Sequence, residues 1–293
     1  MTFAGESIRV EKVTPEAFRG VEIAFFSAGT AQSKEHAPLA VRAGAVVVDK
    51  SNAFRMDPAV PLVVPEINAH AIKGHQGIVA SPNCTTVVTV MALAPLHRAA
   101  RVTRVVATSY QAVSGAGVRG VEELRQQTLA WARGEAVTPS FFQHQIAFNL
   151  IPHIDKFGAG GYTGEEWKLV QEVRKILETP DMAISPTTVR VPVFTAHSVA
   201  VNAETEEKVT VERARELFGA VPGLRVVDDP DQGRYPMPIT VEGQDDCVVG
   251  RIREDLSLER GPQLLGRGRS APQGRGDQRR ADRGADRRGA PGR

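Results

Sequence analysis

The stretch that most constrains the fold is residues 77–96, where a cysteine stands between two apolar runs. The run at 77–80 is short and bounded by turn residues, which indicates a buried strand, and the run at 87–96 has helical spacing. Pro82 and Asn83 supply the turn between them, directly before Cys84. A thiol at a helix N-terminus lies at the positive end of the helix dipole, so we expect a lowered pKa and a nucleophilic thiolate. The alternative is a small buried cysteine that only fills the core.

The composition is that of a globular chain in a reducing compartment. With 293 residues, 42% of them hydrophobic, the chain can bury a sizeable core in one large or two ordinary domains. Its two cysteines, Cys84 and Cys247, are too few for a disulfide framework, so we expect a cytoplasmic location. We see no signal peptide, no apolar run of membrane-spanning length and no cluster with metal-ligand spacing, and we expect neither a membrane nor a metal partner.

The basic charge of the chain is concentrated in its last segment. Residues 261–293 hold nine Arg and three Asp, a net charge of +6, so the remaining residues carry a net −4 within the total of +2. This segment has no aromatic residue and only two apolar side chains larger than Ala, Leu264 and Leu265, so we expect it to be a disordered Arg/Gly-rich tail. A nucleic-acid arm is the rival interpretation, which we do not favour because no aromatic side chain is available for base stacking.

The order of the predicted elements indicates an α/β fold. Strands at 21–27 and 45–49 enclose a helix that ends near Gly44, and this order predicts a parallel βαβ unit. Further predicted strands are 62–64, 78–80, 104–109 and 183–194, and further predicted helices are 165–178 and 210–218. The segment 115–120 fits the G-x-G-x-x-G pattern of dinucleotide sites, but no strand ending in an acidic residue follows at the required distance, so we do not favour a pyrophosphate site there.

Eight segments of this chain, in this order and spacing, resemble bacterial aspartate-semialdehyde dehydrogenases. They are residues 26–29 (FSAG), 51–56 (SNAFRM), 64–68 (VPEIN), 82–86 (PNCTT), 110–117 (YQAVSGAG), 151–155 (IPHID), 190–198 (RVPVFTAHS) and 250–255 (GRIRED). The resemblance covers about residues 1–260. It implies a truncated Rossmann-like, NADP-binding domain at 1–84, an α+β catalytic and dimerisation domain with a mixed sheet at 85–260, and the tail at 261–293.

The resemblance also implies the reaction, which is NADP-dependent reductive dephosphorylation of L-aspartyl-4-phosphate to L-aspartate 4-semialdehyde. This step belongs to lysine, threonine and methionine biosynthesis and releases inorganic phosphate. The implied catalytic residues are Cys84 as the nucleophile that forms an acyl-thioester, His197 as the acid/base, and Gln111, which orients the substrate carbonyl. A thiolate that expels phosphate and an imidazole that titrates near neutral pH suit this chemistry. We expect a homodimer or a homotetramer.

The remaining implied site residues bind substrate or cofactor. Arg190 resembles the clamp on the substrate carboxylate, a task that suits the bidentate guanidinium group. The other implied substrate-binding residues are Arg55 and Lys168 at the phosphate, Glu165 and Asn83. The implied cofactor contacts are Ser114, Gly115, Ser27, Gly29 and Ser51. Taken alone, Arg190 could be an exposed ion-pair member, His197 a loop histidine, and Glu165 with Lys168 a pair on a helix surface.

The chain departs from the family pattern at both ends. It starts after the strand and Gly-rich turn that usually hold the cofactor pyrophosphate, so we expect weakened cofactor affinity. After Arg260 the family continues with an ordered apolar segment, where this chain has the Arg/Gly-rich tail. A catalytically inactive remnant is therefore one alternative. N-acetyl-glutamyl-phosphate reductase is another, although its cysteine usually lies in Pro-Gly-Cys-Tyr, whereas this chain has Pro82-Asn83-Cys84-Thr85.

Overall fold

Two β-sheets form the framework of the protein. The computed structural model describes residues 2–3 and 5–268. A three-stranded parallel sheet is followed along the chain by a six-stranded mixed sheet. A short antiparallel ribbon, Thr2–Phe3 (β1) and Glu6–Ser7 (β2), precedes both. This architecture confirms the predicted α/β fold class with a Rossmann-like sheet and a mixed sheet.

The three-stranded sheet contains the predicted βαβ unit. Its strands are Ile23–Phe26 (β3), Val46–Asp49 (β4) and Ile78–Ala80 (β5), and the helix Thr30–Arg42 (α1) connects the first two. All three strands run parallel, with β4 in the centre, and Phe26, Asp49 and Ala80 lie side by side at their carboxyl ends. The loops that follow the strands therefore leave from one edge of the sheet. The strand predicted at 62–64 is wrong, because Leu62 makes only a single bridge to Ala80.

The helix Cys84–Ala100 (α3) forms the centre of the hydrophobic core. Twelve of its 17 residues are buried, including Val88, Leu93 and Leu96. It packs on the six-stranded sheet with one side and on the helices Gly164–Ile176 (α5) and Val211–Gly219 (α6) with another. The other helices are Pro65–Asn68 (α2), Val118–Ala132 (α4) and Pro238–Val241 (α7). None of the helices in the described part of the chain is long and apolar enough to span a membrane.

The six-stranded sheet brings three strand ends together. Its strands are Val102–Gln111 (β6), Ala183–Arg190 (β7), His197–Thr205 (β8), Leu224–Val226 (β9), Cys247–Glu254 (β10) and Pro262–Gly268 (β11), in the order β7-β6-β8-β11-β10-β9. β6 and β7 run parallel, with Gln111 opposite Arg190. β8 runs antiparallel to β6, with Ser198 opposite Tyr110. The last residues of β6 and β7 therefore meet the first residue of β8.

The prediction of a disordered tail is wrong for its first residues, which form the last strand. Residues 262–268, predicted to be disordered, form β11 in the interior of the sheet, paired with β8 on one side and β10 on the other. Leu264 is 1% exposed, and the glycines that follow it at every second position pass close to Val88 of α3. This strand could not be predicted from composition. Two partner strands supply its backbone hydrogen bonds, and its inward-facing positions need little side-chain volume. The rest of the predicted tail, residues 269–293, lies outside the described residues.

Arg267 in β11 is a destabilising element of the sheet. Its Nε and Nη1 atoms are buried without a hydrogen-bond partner among the described residues, and burial lowers the pKa of its guanidinium to about 10. We predict that Arg267→Leu raises the free energy of unfolding by about 1 kcal/mol, because an uncompensated charge is replaced by apolar surface and part of the side chain already reaches solvent. Thermal unfolding measures this. Arg104→Leu, at an exposed arginine of β6, is the matched control and should have no such effect. A lowered melting temperature for Arg267→Leu would contradict the prediction.

Candidate active site

Cys84 begins α3, as the sequence predicts, and Asn83 caps the helix. The Asn83 side-chain oxygen accepts a hydrogen bond from the Thr85 N–H (2.8 Å), which is the usual N-cap interaction. The Asn83 amide nitrogen donates to Glu165 (2.9 Å), and the Asn83 backbone N–H donates to Glu172 (2.7 Å). The turn that carries the thiol is thus held by its own cap and by two carboxylates of α5.

Glu165 accepts hydrogen bonds from several side chains around this turn. Its carboxylate is 7% exposed and accepts hydrogen bonds from Asn83, from the Gln111 amide (3.2 Å) and from the Lys168 ammonium (3.2 Å). Burial by itself raises the pKa of Glu165, but Lys168 and the two amides outweigh it and lower the pKa overall. Glu165 is therefore a carboxylate at neutral pH. Gln111 also donates to the hydroxyl of Thr85 (2.8 Å), which fixes its amide against α3.

The backbone of Ala112 positions both the guanidinium and the imidazole. The Ala112 carbonyl accepts a hydrogen bond from Arg190 Nη1 (2.8 Å), and the Ala112 N–H donates to His197 Nδ1 (3.1 Å). Ala112 directly follows β6, Arg190 ends β7 and His197 begins β8, so the register of the sheet brings these residues together. A Cβ atom added to Gly115 would lie 2.8 Å from His197 Nε2 and 3.0 Å from Arg190 Nη1, so this close approach requires glycine.

The pKa of the Cys84 thiol is raised, which corrects the prediction of a lowered value. Burial is the largest cause and the nearby Glu165 carboxylate is the second; Thr85 and Arg190 oppose them, and the pKa reaches about 11. The helix N-terminus does not compensate for removing the thiolate from water beside a negative charge. Cys84 is consequently a neutral thiol at neutral pH, and both a more polar surrounding and a weaker negative field from Glu165 would favour the thiolate.

His197 and Arg190 are both affected by burial. Burial, and then the charge of Arg190, lower the pKa of His197 to about 3, against an opposing effect of Glu165. Burial also lowers the pKa of Arg190, which Glu165 and Cys84 partly offset. Glu165 and Arg190 therefore act electrostatically on both Cys84 and His197, which places these four side chains in one site. At neutral pH the site contains a neutral thiol, a neutral imidazole, a carboxylate and a guanidinium.

Lys168 connects this site with a cavity. Its ammonium bridges Glu165 and Asp155 (2.8 Å), and these two partners keep its pKa above the ordinary value although burial opposes them. A cavity of about 280 Å³ adjoins it, lined among others by Asn52, Trp167 and Glu172. A larger cavity of about 420 Å³ lies along α4 and includes none of the predicted site residues. No cluster of three or more His, Cys, Asp or Glu in the described part of the chain could hold a metal ion.

Arg55 is a buried side chain whose hydrogen bonds stabilise the turn before Cys84. Its three guanidinium nitrogens donate to the Ser81 carbonyl (2.9 Å), to Glu172 (3.0 Å) and to the Lys50 carbonyl (2.9 Å). Glu172, which the sequence analysis missed, uses its second oxygen for the Asn83 N–H. Arg55 and Glu172 therefore tie the loop after β4 to the turn before Cys84, and the phosphate-binding role of Arg55 stays a prediction. The helical spacing of Glu165, Lys168 and Glu172 was the available signal for Glu172.

The predicted cofactor contacts lie in two places. Ser27, Gly29 and Ser51 follow β3 and β4 at the carboxyl edge of the parallel sheet, the edge from which Cys84 also follows β5. Ligands of α/β sheets bind at this edge. Gly29 is the N-cap of α1, with no side-chain cap over the helix N–H groups. The Ser51 hydroxyl, in contrast, is buried and donates to Asp49 (2.9 Å), so it stabilises the loop.

Ser114 and Gly115 lie in the short 3₁₀ turn between β6 and α4, beside the reactive groups. The Ser114 N–H donates to the Phe194 carbonyl (3.1 Å), which connects this turn to the segment before His197. A Cβ atom at Gly115 would clash with His197 and Arg190, so the backbone of this turn packs directly against both side chains. The roles of Ser114 and Gly115 as cofactor contacts stay predictions.

The raised pKa of Cys84 yields a test of the role of Glu165. We predict that Glu165→Gln lowers the pKa of the thiol by about 1 pH unit or more, because it removes the negative charge that disfavours the thiolate. The pH dependence of Cys84 alkylation by iodoacetamide measures this value, and the rate at neutral pH should rise accordingly. Glu166→Gln changes the neighbouring carboxylate, which caps α5 and bonds Thr188 instead, and it should leave the value unchanged. An unchanged alkylation profile in Glu165→Gln would contradict the prediction.

The Arg55–Glu172 pair yields a second test. We predict that Glu172→Gln lowers the free energy of unfolding by about 3 kcal/mol, because an amide cannot accept from both Arg55 and Asn83 and the buried guanidinium loses its counter-charge. Thermal or urea unfolding measures the loss. Glu178→Gln removes an exposed carboxylate that pairs with the exposed His70, and it should cost less than about 1 kcal/mol. Equal losses in the two variants would disprove a structural role for the pair.

Comparison with known proteins identifies the family. The semialdehyde dehydrogenase NAD-binding domain matches residues 1–75, and the semialdehyde dehydrogenase dimerisation domain matches residues 93–265. Aspartate-semialdehyde dehydrogenases from Aquifex aeolicus and Bacillus subtilis are 48% and 45% identical, each over 89% of this chain and 78% of its own length. The crystal structure of aspartate semialdehyde dehydrogenase II from Vibrio cholerae, complexed with ASA, superposes with a TM-score of 0.87 at 39% identity, covering 92% of this chain and 80% of that one. The chain therefore belongs to the aspartate-semialdehyde dehydrogenase family.

Proposed function

We propose that this chain catalyses the NADP-dependent reductive dephosphorylation of L-aspartyl-4-phosphate to L-aspartate 4-semialdehyde, with release of inorganic phosphate. The observation that carries the proposal is the convergence of a thiol, an imidazole, a guanidinium and a carboxylate at the start of α3. The family to which the chain belongs carries out this reaction. The function places the chain in the biosynthesis of lysine, threonine and methionine, and of diaminopimelate on the lysine branch.

The charges of the site match those of the substrate. L-Aspartyl-4-phosphate carries a carboxylate, an ammonium group and an acyl phosphate. Arg190 can bind the carboxylate, since among the described residues its side chain donates only through Nη1, to Ala112. Glu165 can bind the ammonium group, and Lys168, which lines the adjoining cavity, can bind the phosphate. Arg55 is a second phosphate ligand in this proposal, provided that one of its backbone bonds is exchanged for the phosphate.

Cys84 performs the first chemical step. Its thiolate attacks the acyl carbon, a carbon–sulfur bond forms, and the bond from that carbon to the phosphate oxygen breaks with its electron pair on the phosphate. The substrate ammonium beside Glu165 reduces the negative field at the sulfur, which favours the thiolate at the moment when substrate is bound. Gln111, held between Thr85 and Glu165, orients the substrate carbonyl. His197 is the acid/base residue in this proposal, on the family resemblance.

The nicotinamide cofactor supplies the hydride that reduces the thioester. Its binding is supported by the NAD-binding domain match at residues 1–75 and by the fit of the chain at two places. Gly29 at the uncapped start of α1 suits a phosphate group, and the backbone of Gly115 lies against His197 and Arg190 of the candidate active site. Ser27 and the loop of Ser51 complete the carboxyl edge of the sheet. We propose NADP rather than NAD on the family resemblance.

We also propose an assembly and a location for the enzyme. The dimerisation domain at residues 93–265 supports a homodimer, and a homotetramer is a proposal that sedimentation can test. Both cysteines are free thiols, and a thiol nucleophile needs a reducing compartment, so we propose a cytoplasmic enzyme.

The direct test is the reverse reaction, phosphate-dependent oxidation of aspartate semialdehyde with formation of NADPH. We predict that the chain is active and that Cys84→Ser lowers kcat by at least about 10³-fold, because the serine hydroxyl is a far weaker nucleophile. Cys247→Ala, which alters the other thiol in the core, should retain activity. Cys84→Ser activity equal to that of the unchanged chain would overturn the mechanism. Faster oxidation of N-acetyl-glutamate semialdehyde would reassign the substrate, and inactivity of a folded chain with both semialdehydes would identify a catalytically inactive relative.

A further inference from the structure

We propose that Asp155 is a positioning residue for Lys168, holding its ammonium group so that one N–H is directed at phosphate in the adjoining cavity. The proposal rests on the function proposed above and adds a residue to it. Asp155 acts on the phosphate through Lys168 and does not itself bind it. It ends the segment 151–155, which resembles the family and to which the proposed function assigns no role.

Two carboxylates set the direction of the Lys168 ammonium group. Its Nζ atom lies 2.8 Å from Asp155 Oδ2 and 3.2 Å from Glu165 Oε2. An ammonium nitrogen is tetrahedral and carries three N–H donors. With the lysine stem and the two carboxylates in three of its four directions, the remaining N–H has one fixed direction. Lys168 lines the cavity of about 280 Å³, so a phosphate oxygen there can accept this N–H.

The Asp155 carboxylate is itself held in place by the backbone around it. Asp155 has a left-handed conformation (φ 70°), which aspartate tolerates better than most residues. Its Oδ1 accepts from the Lys156 N–H (2.8 Å), and its Oδ2 accepts from Lys168. A Cβ atom at Gly164 would lie 2.7 Å from Oδ2, so any side chain at the start of α5 would displace the carboxylate.

The loop between Asp155 and α5 is closed at its base. The Gly164 N–H donates to the Lys156 carbonyl (2.8 Å), and Phe157 and Thr163 form an antiparallel bridge. The side chain of Thr163 in turn caps α5. The loop therefore fixes Asp155 relative to the first turn of the helix that carries the lysine.

A fixed second partner matters because a lysine side chain is long and flexible. Glu165 lies three residues before Lys168 on the same helix, so this pair by itself holds the ammonium group on the helix surface. Asp155 reaches Nζ from outside the helix. Two partners in different directions restrict the ammonium group before phosphate arrives, which reduces the entropy lost on binding. Burial by itself raises the pKa of Asp155, but Lys168 and Lys156 outweigh it and lower the pKa overall, so Asp155 is a carboxylate at neutral pH.

The charge of Asp155 has an opposing effect, because a carboxylate that lines the cavity also repels phosphate. Asp57 lines the same cavity and is an exposed carboxylate that accepts from the Ala59 N–H (2.9 Å). A purely repulsive effect would be shared by both aspartates. A positioning effect belongs to Asp155, the one that binds Lys168, so Asp57 is its matched control.

Substitution of the two aspartates separates positioning from repulsion. Asparagine keeps the size of Asp155 and tolerates the left-handed backbone, but it has no negative charge for Lys168. In phosphate-dependent semialdehyde oxidation, we expect Asp155→Asn to raise the KM for phosphate about tenfold, the effect of losing one charge-assisted hydrogen bond, with kcat and the KM for the semialdehyde within about twofold. Asp57→Asn should not raise the KM for phosphate. A KM for phosphate that falls in both variants, or KM values that rise equally for both substrates, would overturn the proposal.

A double-mutant cycle tests whether Asp155 acts through Lys168. Lys168→Met removes the ammonium group and keeps an unbranched stem. In this background we expect Asp155→Asn to raise the KM for phosphate no further, because the group that it positions is gone. An undiminished effect of Asp155→Asn there would contradict the proposal.

Binding of inorganic phosphate without turnover separates this proposal from the function on which it rests. The phosphorus-31 NMR line width of inorganic phosphate, titrated with the folded chain, should show binding that Asp155→Asn and Lys168→Met both weaken. Binding weakened by Lys168→Met alone would refute the positioning role and leave the proposed function standing. A folded chain that binds no phosphate and oxidises no semialdehyde would refute both.

Discussion

The two backbone hydrogen bonds of Ala112 are the interactions on which the site depends. Its carbonyl accepts from the Arg190 guanidinium and its N–H donates to the His197 ring, so two peptide planes that meet at one Cα atom position both groups. Both groups lie at strand ends, where the register of β6, β7 and β8 is set by backbone pairing over eight or more residues. Such a site is rigid because displacing either side chain would require a shift of the sheet.

A second constraint comes from α5, which approaches the start of α3 with two carboxylates. Glu172 binds the Asn83 N–H and Arg55, and this pair is structural, because every atom involved is buried and engaged. Glu165 binds the Asn83 side chain and leaves its negative charge beside the thiol. The two glutamates thus have different roles: Glu172 holds the turn, and Glu165 adds to the effect of burial in raising the pKa of the thiol. A thiol with a raised pKa reacts slowly with oxidants and alkylating agents.

Local sequence patterns predicted the elements of the fold but not the contacts between them. The strand, turn and helix around Cys84 and its Asn83 cap were predictable because each depends on neighbours a few residues away. The bonds from Asn83 to Glu172 and from Ala112 to His197 span 89 and 85 residues, and no local pattern contains them. The thiol pKa was mispredicted for the same reason, since burial and a distant carboxylate outweigh the helix terminus. β11 was not predicted because composition alone does not show that β8 and β10 pair with it.

The most direct test of the account is the ultraviolet absorbance of the thiolate, recorded against pH as the difference between the unchanged chain and Cys84→Ser. The site contains a neutral thiol and a neutral imidazole, with pKa values of about 11 for Cys84 and about 3 for His197. The difference signal should therefore be absent through neutral pH and should appear only as the pH approaches the upper value. A thiolate signal already present at neutral pH, lost on mild acidification together with the imidazolium, would show a Cys84–His197 ion pair and would contradict the account.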